Sequence, residues 1–336
     1  MPSKWKLVQS HRKQKKRTKL ALLTVAILGT LFLAGALVNL TKTLNSPWQL
    51  NTQKSHSWDG RYNLNVVLRG ASVSLISFNP VQKKVIVIKL PPQTYLDVPG
   101  GFGKWQLRSI YDLGQSGSSA GANLLEGTLT SFLGVPVEGF IQLRGDFAEE
   151  EGEDFVRLIR QNPLNILLAL KDTRSDLSPL ELLRFNMALF QVRFDKVNYI
   201  DLGSSSVLDK SYLPDQTEVL IGDPVRIDSI AQNLTDNHVL EEHKTVAVFN
   251  ATERPLIAQK AARIVTNLGG NVIQISNASF KLDKTRVSGE PSQTLKRLTQ
   301  IFGCCDKIDP QSLEGISSRA QINVILGEDF FLRLGN

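Results

Sequence analysis

The sequence predicts an α/β protein with an N-terminal transmembrane helix, a mixed-sheet α/β sandwich domain and a small C-terminal two-layer α/β module. Three observations support this architecture. An uncharged apolar run of membrane-spanning length follows a basic tail. Strand-like and helix-like segments then alternate along the rest of the chain. At 336 residues, the chain is long enough for two modest domains that each bury a core.

The positive charge of the chain is concentrated in its N-terminal tail, residues 1–19. The formal net charge is +7, and the tail holds eight lysines and arginines and no acidic residue. Subtracting those eight charges leaves −1 for the remainder of the chain. A basic folded surface is therefore not expected, and nucleic acid is not a predicted partner.

Residues 20–40 predict a transmembrane helix, because this run has no charge and its length at about 1.5 Å per residue matches the hydrocarbon core of a bilayer. The basic tail stays in the cytoplasm, which places everything after Leu40 outside the cell as a single-pass protein. A cleaved signal peptide is the competing interpretation, since residues 34–36 resemble a cleavage site. The apolar run continues past that site, which favours the uncleaved anchor. Residues 41–60 are polar and predict a tether.

Residues 61–232 predict the sandwich domain. In chain order, strand patterns lie at 62–68, 73–78, 85–90 and 94–97, a helix at 121–134, a strand at 137–143, a helix at 155–170 interrupted at Pro163, a helix at 178–192 and a strand at 197–202. The start of the helix at 178 is the most specific signal. Ser178 can cap the helix, Pro179 occupies its first position, and Glu181 can bond back to the cap.

Residues 245–332 predict the C-terminal module, and the segment 233–244 before it is predicted to be a loop. The module shows a strand at 245–252, a helix at 255–270, strands at 271–276 and 284–288, a helix at 292–303 and a closing segment at 320–331. This β-α-β-β-α-β order within fewer than a hundred residues is typical of a compact two-layer α/β module.

The C-terminal module resembles the C-terminal domain of LytR-type proteins. Its first strand ends in Asn250-Ala251-Thr252, its first helix is rich in alanine and ends at a glycine, and its last strand runs into Gly327-Glu328-Asp329-Phe330. The family has a strand ending in Asn-Gly-Thr, an alanine-rich helix closed by glycine, and a terminal Leu-Gly-x-Asp with an aromatic residue. This resemblance covers about 245–331. Residues 64–145 resemble, less specifically, the first half of the catalytic domain of LytR-CpsA-Psr proteins, which are membrane-anchored envelope proteins.

The resemblance implies metal-dependent transfer of a glycan from a polyprenyl pyrophosphate, but the family's charged residues are replaced in this chain. Ala71 and Ser72 stand where the family has aspartate and threonine, and Pro92-Gln93-Thr94 replaces an arginine-aspartate-threonine sequence. The family's arginine-rich loop is also not visible between 143 and 176. Such chemistry needs carboxylates for the cation and guanidiniums for the pyrophosphate. We therefore predict no catalytic residue, no metal site and no cofactor.

Three basic residues are the candidate anion or pyrophosphate ligands: Arg69, Lys104 and Arg108. Each occupies a position that could face one end of the sheet, and the glycine-rich residues 100–103 offer backbone donors just before Lys104. The alternative is that these residues are solvated basic side chains around a glycine hairpin. Cys304 and Cys305 are adjacent, and either a vicinal disulfide or a pair of thiols is consistent with the sequence.

These observations predict a protein of the cell membrane, with most of the chain outside, that binds or scaffolds cell-wall glycan or lipid-linked intermediates without catalysis. The alternative is a phosphotransferase that attaches anionic glycopolymers to peptidoglycan from polyprenyl-pyrophosphate donors, and only this alternative requires Mg²⁺. A third interpretation is an interaction protein that works through its C-terminal module. An apolar tunnel with a basic mouth would favour lipid binding, whereas a filled core would favour scaffolding.

Overall fold

A computed structural model describes residues 56–116, 121–161, 173–303 and 318–334. The predicted basic tail, the transmembrane helix, most of the tether and the two cysteines lie outside these residues. Among the described helices, none is both long enough and apolar enough to cross a bilayer.

The first sheet is mixed and has six strands: β1 (Leu64–Arg69), β2 (Val73–Asn79), β3 (Lys84–Leu90), β6 (Gly139–Leu143), β7 (Thr173–Ser175) and β8 (Val197–Asp201). Their order across the sheet is β7-β6-β1-β2-β3-β8. β2 pairs antiparallel with β1 and β3, while β6 is parallel to β1 and β8 is parallel to β3. The carboxyl ends of β1, β3, β6 and β8 therefore lie at one edge, which we call the carboxyl edge.

Helices cover both faces of the first sheet, as expected for an α/β sandwich. They are α1 (Leu107–Ser116), α2 (Gly121–Leu133), α3 (Gly152–Gln161), α4 (Pro179–Phe190) and α5 (Pro224–Ala231). Neighbouring residues of β1 enter opposite cores, because successive side chains of a strand point to opposite faces. Val67 packs in the core that contains α1, α2 and α5, whereas Val66 and Leu68 pack in the core that contains α3 and α4.

Some elements of this domain were not predicted from the sequence. They are α1, α5 and three strands: β5 (Gly103–Gln106), β9 (Leu208–Tyr212) and β10 (Glu218–Gly222). β5 forms a hairpin with the predicted strand β4 (Tyr95–Val98), and β9 forms a hairpin with β10. The prediction of a loop at 233–244 is wrong, because this segment contains the short helix α6 (Asn237–Glu242). Its N-terminus is capped by the Asp236 side chain, which accepts a hydrogen bond from the His238 backbone.

The C-terminal module has the predicted order of elements: β11 (Thr245–Asn250), α7 (Ile257–Asn267), β12 (Asn271–Asn277), β13 (Arg286–Gly289), α8 (Gln293–Phe302) and β14 (Ile322–Leu326). The sheet order is β12-β11-β14-β13, with β11 parallel to both of its neighbours. The module ends in one helix that was not predicted: after β14 the chain turns at Gly327 into α9 (Glu328–Leu334).

A buried ion pair joins α8 to the residues around β1 and β6. The fully buried guanidinium of Arg297 donates to the two carboxylate oxygens of Glu138 at 2.8 and 2.7 Å and to the Asn63 carbonyl at 2.9 Å. Its Nε lies 3.4 Å from Asp236, and its Cζ lies 5.4 Å from the centre of the Tyr62 ring. We call these five residues the Arg297 network, and it ties the C-terminal module to the first sheet.

The electrostatics of the Arg297 network favour the charged form of Glu138. Burial alone would raise the pKa of this carboxyl group. The charge of Arg297, the hydrogen bonds from His56 and Arg297 and the charge of His56 together outweigh burial, and the pKa falls to about 2. Burial, together with the charges of Asp59 and Asp236, raises the pKa of the Tyr62 hydroxyl to about 12. At neutral pH Glu138 is therefore ionised, and the Tyr62 hydroxyl keeps its proton.

Candidate anion site at the carboxyl edge of the first sheet

Arg69 ends β1 and lies at the carboxyl edge, where an aromatic ring supports it. Its Cζ is 4.3 Å from the centre of the Tyr111 ring, and its Nη2 is 3.4 Å from Asp112 Oδ1. The Tyr111 ring is fixed in turn, because it stacks on Phe140 with the ring centres 5.4 Å apart and its hydroxyl donates to Gln142 at 3.1 Å. The guanidinium of Arg69 is thus held in place while it remains partly open to solvent.

Arg108 is the second predicted residue at this edge, and it lies on α1 with the residues that contact Arg69. It precedes Asp112 by four positions, a spacing that puts two side chains on one face of a helix. Its backbone amide donates to the Pro92 carbonyl at 3.2 Å. The Pro92 carbonyl therefore supports the start of α1. Arg108 and Asp112, which is paired with Arg69, thus lie on the same face of α1.

Lys104 is exposed on the β4–β5 hairpin, opposite Asp97 in the strand register. Residues 100–103 form the turn of this hairpin, and Gly100, Gly101 and Gly103 all have positive φ angles. These left-handed conformations suit glycine, which has no Cβ to clash with the backbone. The structure therefore places Arg69 and Arg108 on elements that meet at the carboxyl edge, since α1 contacts Arg69, and Lys104 on the hairpin.

The acidic segment 149–151 closes the carboxyl edge next to Arg69. The Ala71 amide donates to the Glu150 carbonyl at 3.3 Å, and a Cβ added to Gly70 would lie 2.2 Å from that oxygen. Lys89, near the end of β3, binds both oxygens of Glu151 at 2.7 Å. This hydrogen bond raises the pKa of Lys89, and it satisfies a charge that would otherwise face the edge.

Arg144 is a basic residue at this edge that sequence reasoning missed. It follows β6 directly and is exposed. The position just after the predicted strand at 137–143 was the available signal, because ligands of α/β sheets commonly bind outside the carboxyl ends of strands. The supporting role of Tyr111 had no comparable signal in the sequence.

The charges at the carboxyl edge suit anion binding better than metal binding. Arg69, Arg108 and Arg144 present guanidiniums, which recognise phosphate through paired hydrogen bonds. Within the described ranges, no group of three histidine, cysteine, aspartate or glutamate residues is placed to hold a metal ion. The arrangement can attract one phosphate or pyrophosphate group, and the carboxylate of Asp112 competes with that group for Arg69.

The layer between the first sheet and the helices α1 and α2 is filled by side chains in the described part of the chain. Five fully buried residues illustrate this packing: Leu75, Ile88, Leu125, Leu129 and Phe140. They come from β2, β3, α2 and β6, so both sides of the layer contribute. These side chains form a close-packed apolar layer between the sheet and the two helices.

Replacing Asp112 by asparagine is expected to strengthen pyrophosphate binding by up to about fivefold, because the variant removes the carboxylate that competes for Arg69. The gain is limited to about 1 kcal/mol, since the Asp112 side chain is 71% exposed and its ion pair is screened by solvent. Titration calorimetry of the full chain in detergent with inorganic pyrophosphate at low salt measures the change. Asp97→Asn, beside Lys104 on the hairpin, is the matched control. Unchanged or weaker binding by Asp112→Asn would contradict this account.

Comparison with known proteins supports the predicted relationship of the C-terminal module. Residues 244–330 match the LytR_C family, described as "LytR cell envelope-related transcriptional attenuator". This match confirms the resemblance predicted for about 245–331. No curated protein matches the chain.

Solved structures also align with the chain at low identity. TagT of Bacillus subtilis aligns at 14% identity and a TM-score of 0.39, covering 56% of this chain and 96% of TagT. A transcriptional regulator from Enterococcus faecalis aligns at 12% identity and a TM-score of 0.43, covering 64% of this chain and 92% of the regulator. The LytR-CPS2A-psr family protein YwtF (TagT) with bound octaprenyl pyrophosphate lipid aligns at 14% identity and a TM-score of 0.39, covering 56% and 98%. Because all three TM-scores are below 0.5, these alignments support no conclusion about the function of this chain.

Proposed function

We propose that this chain is a membrane-anchored, extracytoplasmic cell-envelope protein that binds a polyprenyl-linked cell-wall glycan without transferring it. Its C-terminal residues match a family whose description names the cell envelope. The predicted transmembrane helix at 20–40 and the basic tail before it supply the membrane anchor of this proposal.

The partial neutralisation of the carboxyl edge is the observation that carries the proposal. Lys89 is paired with Glu151, and Arg69 is paired with Asp112. Phosphoryl transfer depends on charged groups that are free to stabilise the charge developing on the transferred group and the leaving oxygen. At this edge part of the positive charge is already satisfied within the protein. The remaining positive charge supports the binding of an anionic head group more than it supports catalysis.

The exposed side chains of Arg108 and Arg144 support binding of the head group at the surface of the domain. In this arrangement, the pyrophosphate lies against Arg69, Arg108 and Arg144, the glycan extends into solvent, and the polyprenyl chain stays in the membrane. The C-terminal module, which the Arg297 network fixes to the first sheet, would hold the other partner, such as peptidoglycan or an envelope protein.

Binding and transfer can be separated with the full chain in lipid nanodiscs, a fluorescent polyprenyl-pyrophosphate-linked glycan, Mg²⁺ and peptidoglycan as acceptor. We expect the glycan to be retained by the protein and no label to reach the peptidoglycan. Arg69→Ala should weaken retention by about tenfold, because a hydrogen bond to a charged group contributes about 1.5 kcal/mol. Arg226→Ala, a surface arginine on α5 that is paired with Asp209, is the matched control.

Two results would overturn the proposal. Transfer of the label to peptidoglycan that stops in Arg69→Ala would establish the phosphotransferase alternative. If the glycan is neither retained nor transferred, the C-terminal module remains as the working part of an interaction protein.

A further inference from the structure

The helix α4 has two apolar faces, and only one of them is buried. Leu182, Phe185 and Leu189 pack in the core below the first sheet. The second face is exposed and continues into the turn after the helix, with exposed fractions between 42% and 83%. It consists of Leu180, Leu183, Met187, Phe190 and Phe194, and we call it the α4 stripe.

The spacing of the α4 stripe makes it one continuous surface. Leu180, Leu183, Met187 and Phe190 follow one another at intervals of three or four residues, so they form a single line along the helix. Single exposed apolar residues are common in soluble proteins, but a continuous row of large ones marks a surface that contacts a partner or a membrane.

Basic residues border the end of the α4 stripe. The Cζ of Arg160 lies 5.5 Å from the centre of the Phe194 ring. Arg193 and Lys196 stand next to Phe194 in the chain, and the one acidic neighbour in this turn, Asp195, is paired with Arg193 at 3.1 Å. A row of leucine and phenylalanine side chains with a basic border is the pattern of helices that lie in a membrane interface, where the basic residues meet anionic lipid head groups.

The first described residues of the chain pack against α4. The Trp58 amide donates to Glu181 at 2.6 Å, Arg184 donates to the Trp58 carbonyl at 2.5 Å, and the Trp58 ring packs edge-on against Phe185. Residues 41–55 separate this point from the predicted anchor. Fifteen residues span at most about 50 Å, so the length of this segment permits α4 to contact the bilayer.

We propose that the α4 stripe lies on the outer surface of the membrane, with its apolar side chains at the boundary between head groups and acyl chains. This inference rests on the membrane anchor of the proposed function. It goes further by assigning a second membrane contact, which fixes how the first sheet faces the bilayer. A tethered domain with this contact presents one orientation to a lipid-linked glycan.

Site-specific photo-crosslinking of the full chain in liposomes that contain anionic lipid tests this proposal. Benzoylphenylalanine is placed at Phe190 or Phe194, and at Tyr212 as the control, an exposed aromatic on the β9–β10 hairpin. After irradiation, mass spectrometry measures the protein–lipid adducts. We expect at least about tenfold more adduct at the two stripe positions than at Tyr212, a preference equivalent to about 1.4 kcal/mol. The double variant Leu183→Glu, Met187→Glu should lower the adduct at Phe194 to the control level.

Flotation of the liposomes distinguishes the possible failures. If the chain floats with the liposomes but the stripe positions give no excess of lipid adducts, the anchor stands and the stripe proposal is overturned. Crosslinks between two copies of the chain at Phe190, in place of lipid adducts, would also overturn it and assign the stripe to a dimer. If the chain does not float, the anchor and this inference both fail.

Discussion

Arg297→Ala is expected to lower the free energy of unfolding by about 3–5 kcal/mol, because it removes one partner of a buried ion pair. The carboxylates of Glu138 and Asp236 remain buried in the variant, with side chains only 7% and 1% exposed. Water cannot replace the guanidinium there without a change in packing. The carbonyl of Asn63 also loses its charged donor. The result is uncompensated charge at the joint between the C-terminal module and the first sheet.

Urea unfolding of the full chain in detergent measures this effect. Arg226→Ala is the matched control, because Arg226 also pairs with a carboxylate, Asp209, but at the surface, where solvent screens the pair and its loss costs much less. The double variant Arg297→Met, Glu138→Gln should recover part of the loss, since it removes both charges of the pair. A loss no greater than that of the control would show that the network does not hold the two parts together.

The same ion pair gives stability a defined pH dependence. The pKa of Glu138 is about 2 in the folded chain, compared with an ordinary value of 4.5. A carboxyl group with a lowered pKa contributes stability that is fully present above about pH 4.5 and is lost as the pH falls toward 2. The loss amounts to about 3 kcal/mol for this group. The variant Glu138→Gln should lack this part of the acid transition, and an unchanged acid transition would contradict the assignment.

Sequence reasoning succeeded where the signal was local. The start of α4 shows this well, because the predicted capping box forms in full. Ser178 accepts from the Glu181 amide, and the Glu181 side chain accepts from the Ser178 amide. The order of elements in the C-terminal module was also predicted, since each strand or helix has its own periodicity and boundary residues. These signals depend on residues only a few positions apart.

Sequence reasoning failed where distant segments meet. Arg297 lies in a helix with several polar neighbours, so the pattern of α8 alone does not show that its side chain is buried against Glu138, 159 residues away. The pairing of Arg69 with Asp112 has the same origin. The amino-acid sequence identifies Arg69 as a candidate anion ligand. Only the packing of α1 against the end of β1 shows that the Asp112 carboxylate already competes for Arg69.

Trp58→Ala is expected to lower the free energy of unfolding by about 3–5 kcal/mol, the usual range for removing a buried tryptophan. The side chain is 3% exposed and packs edge-on against Phe78 and Phe185, with ring centres 6.1 and 6.3 Å away. Its indole N–H donates to the Tyr62 carbonyl at 2.9 Å. Alanine would leave a cavity between the first sheet and α4, and the carbonyl would lose its donor.

Trp105→Ala is the matched control for this prediction. The Trp105 indole also donates to a nearby carbonyl, that of Phe102 at 2.8 Å, but its side chain is 41% exposed. The two tryptophans thus have equivalent hydrogen bonds and differ in burial. We expect a loss below about 1 kcal/mol for Trp105→Ala in urea unfolding of the full chain. Similar losses for the two variants would contradict the assignment of Trp58 to the core.

The conservative variant Trp58→Phe separates the contribution of ring packing from that of the hydrogen bond. Phenylalanine keeps most of the aromatic contact with Phe185 and loses the N–H donor, so we expect a loss of about 1–3 kcal/mol, smaller than that of Trp58→Ala. A loss as large as that of Trp58→Ala would show that the indole hydrogen bond, and not the packing of the ring, holds Trp58 against α4.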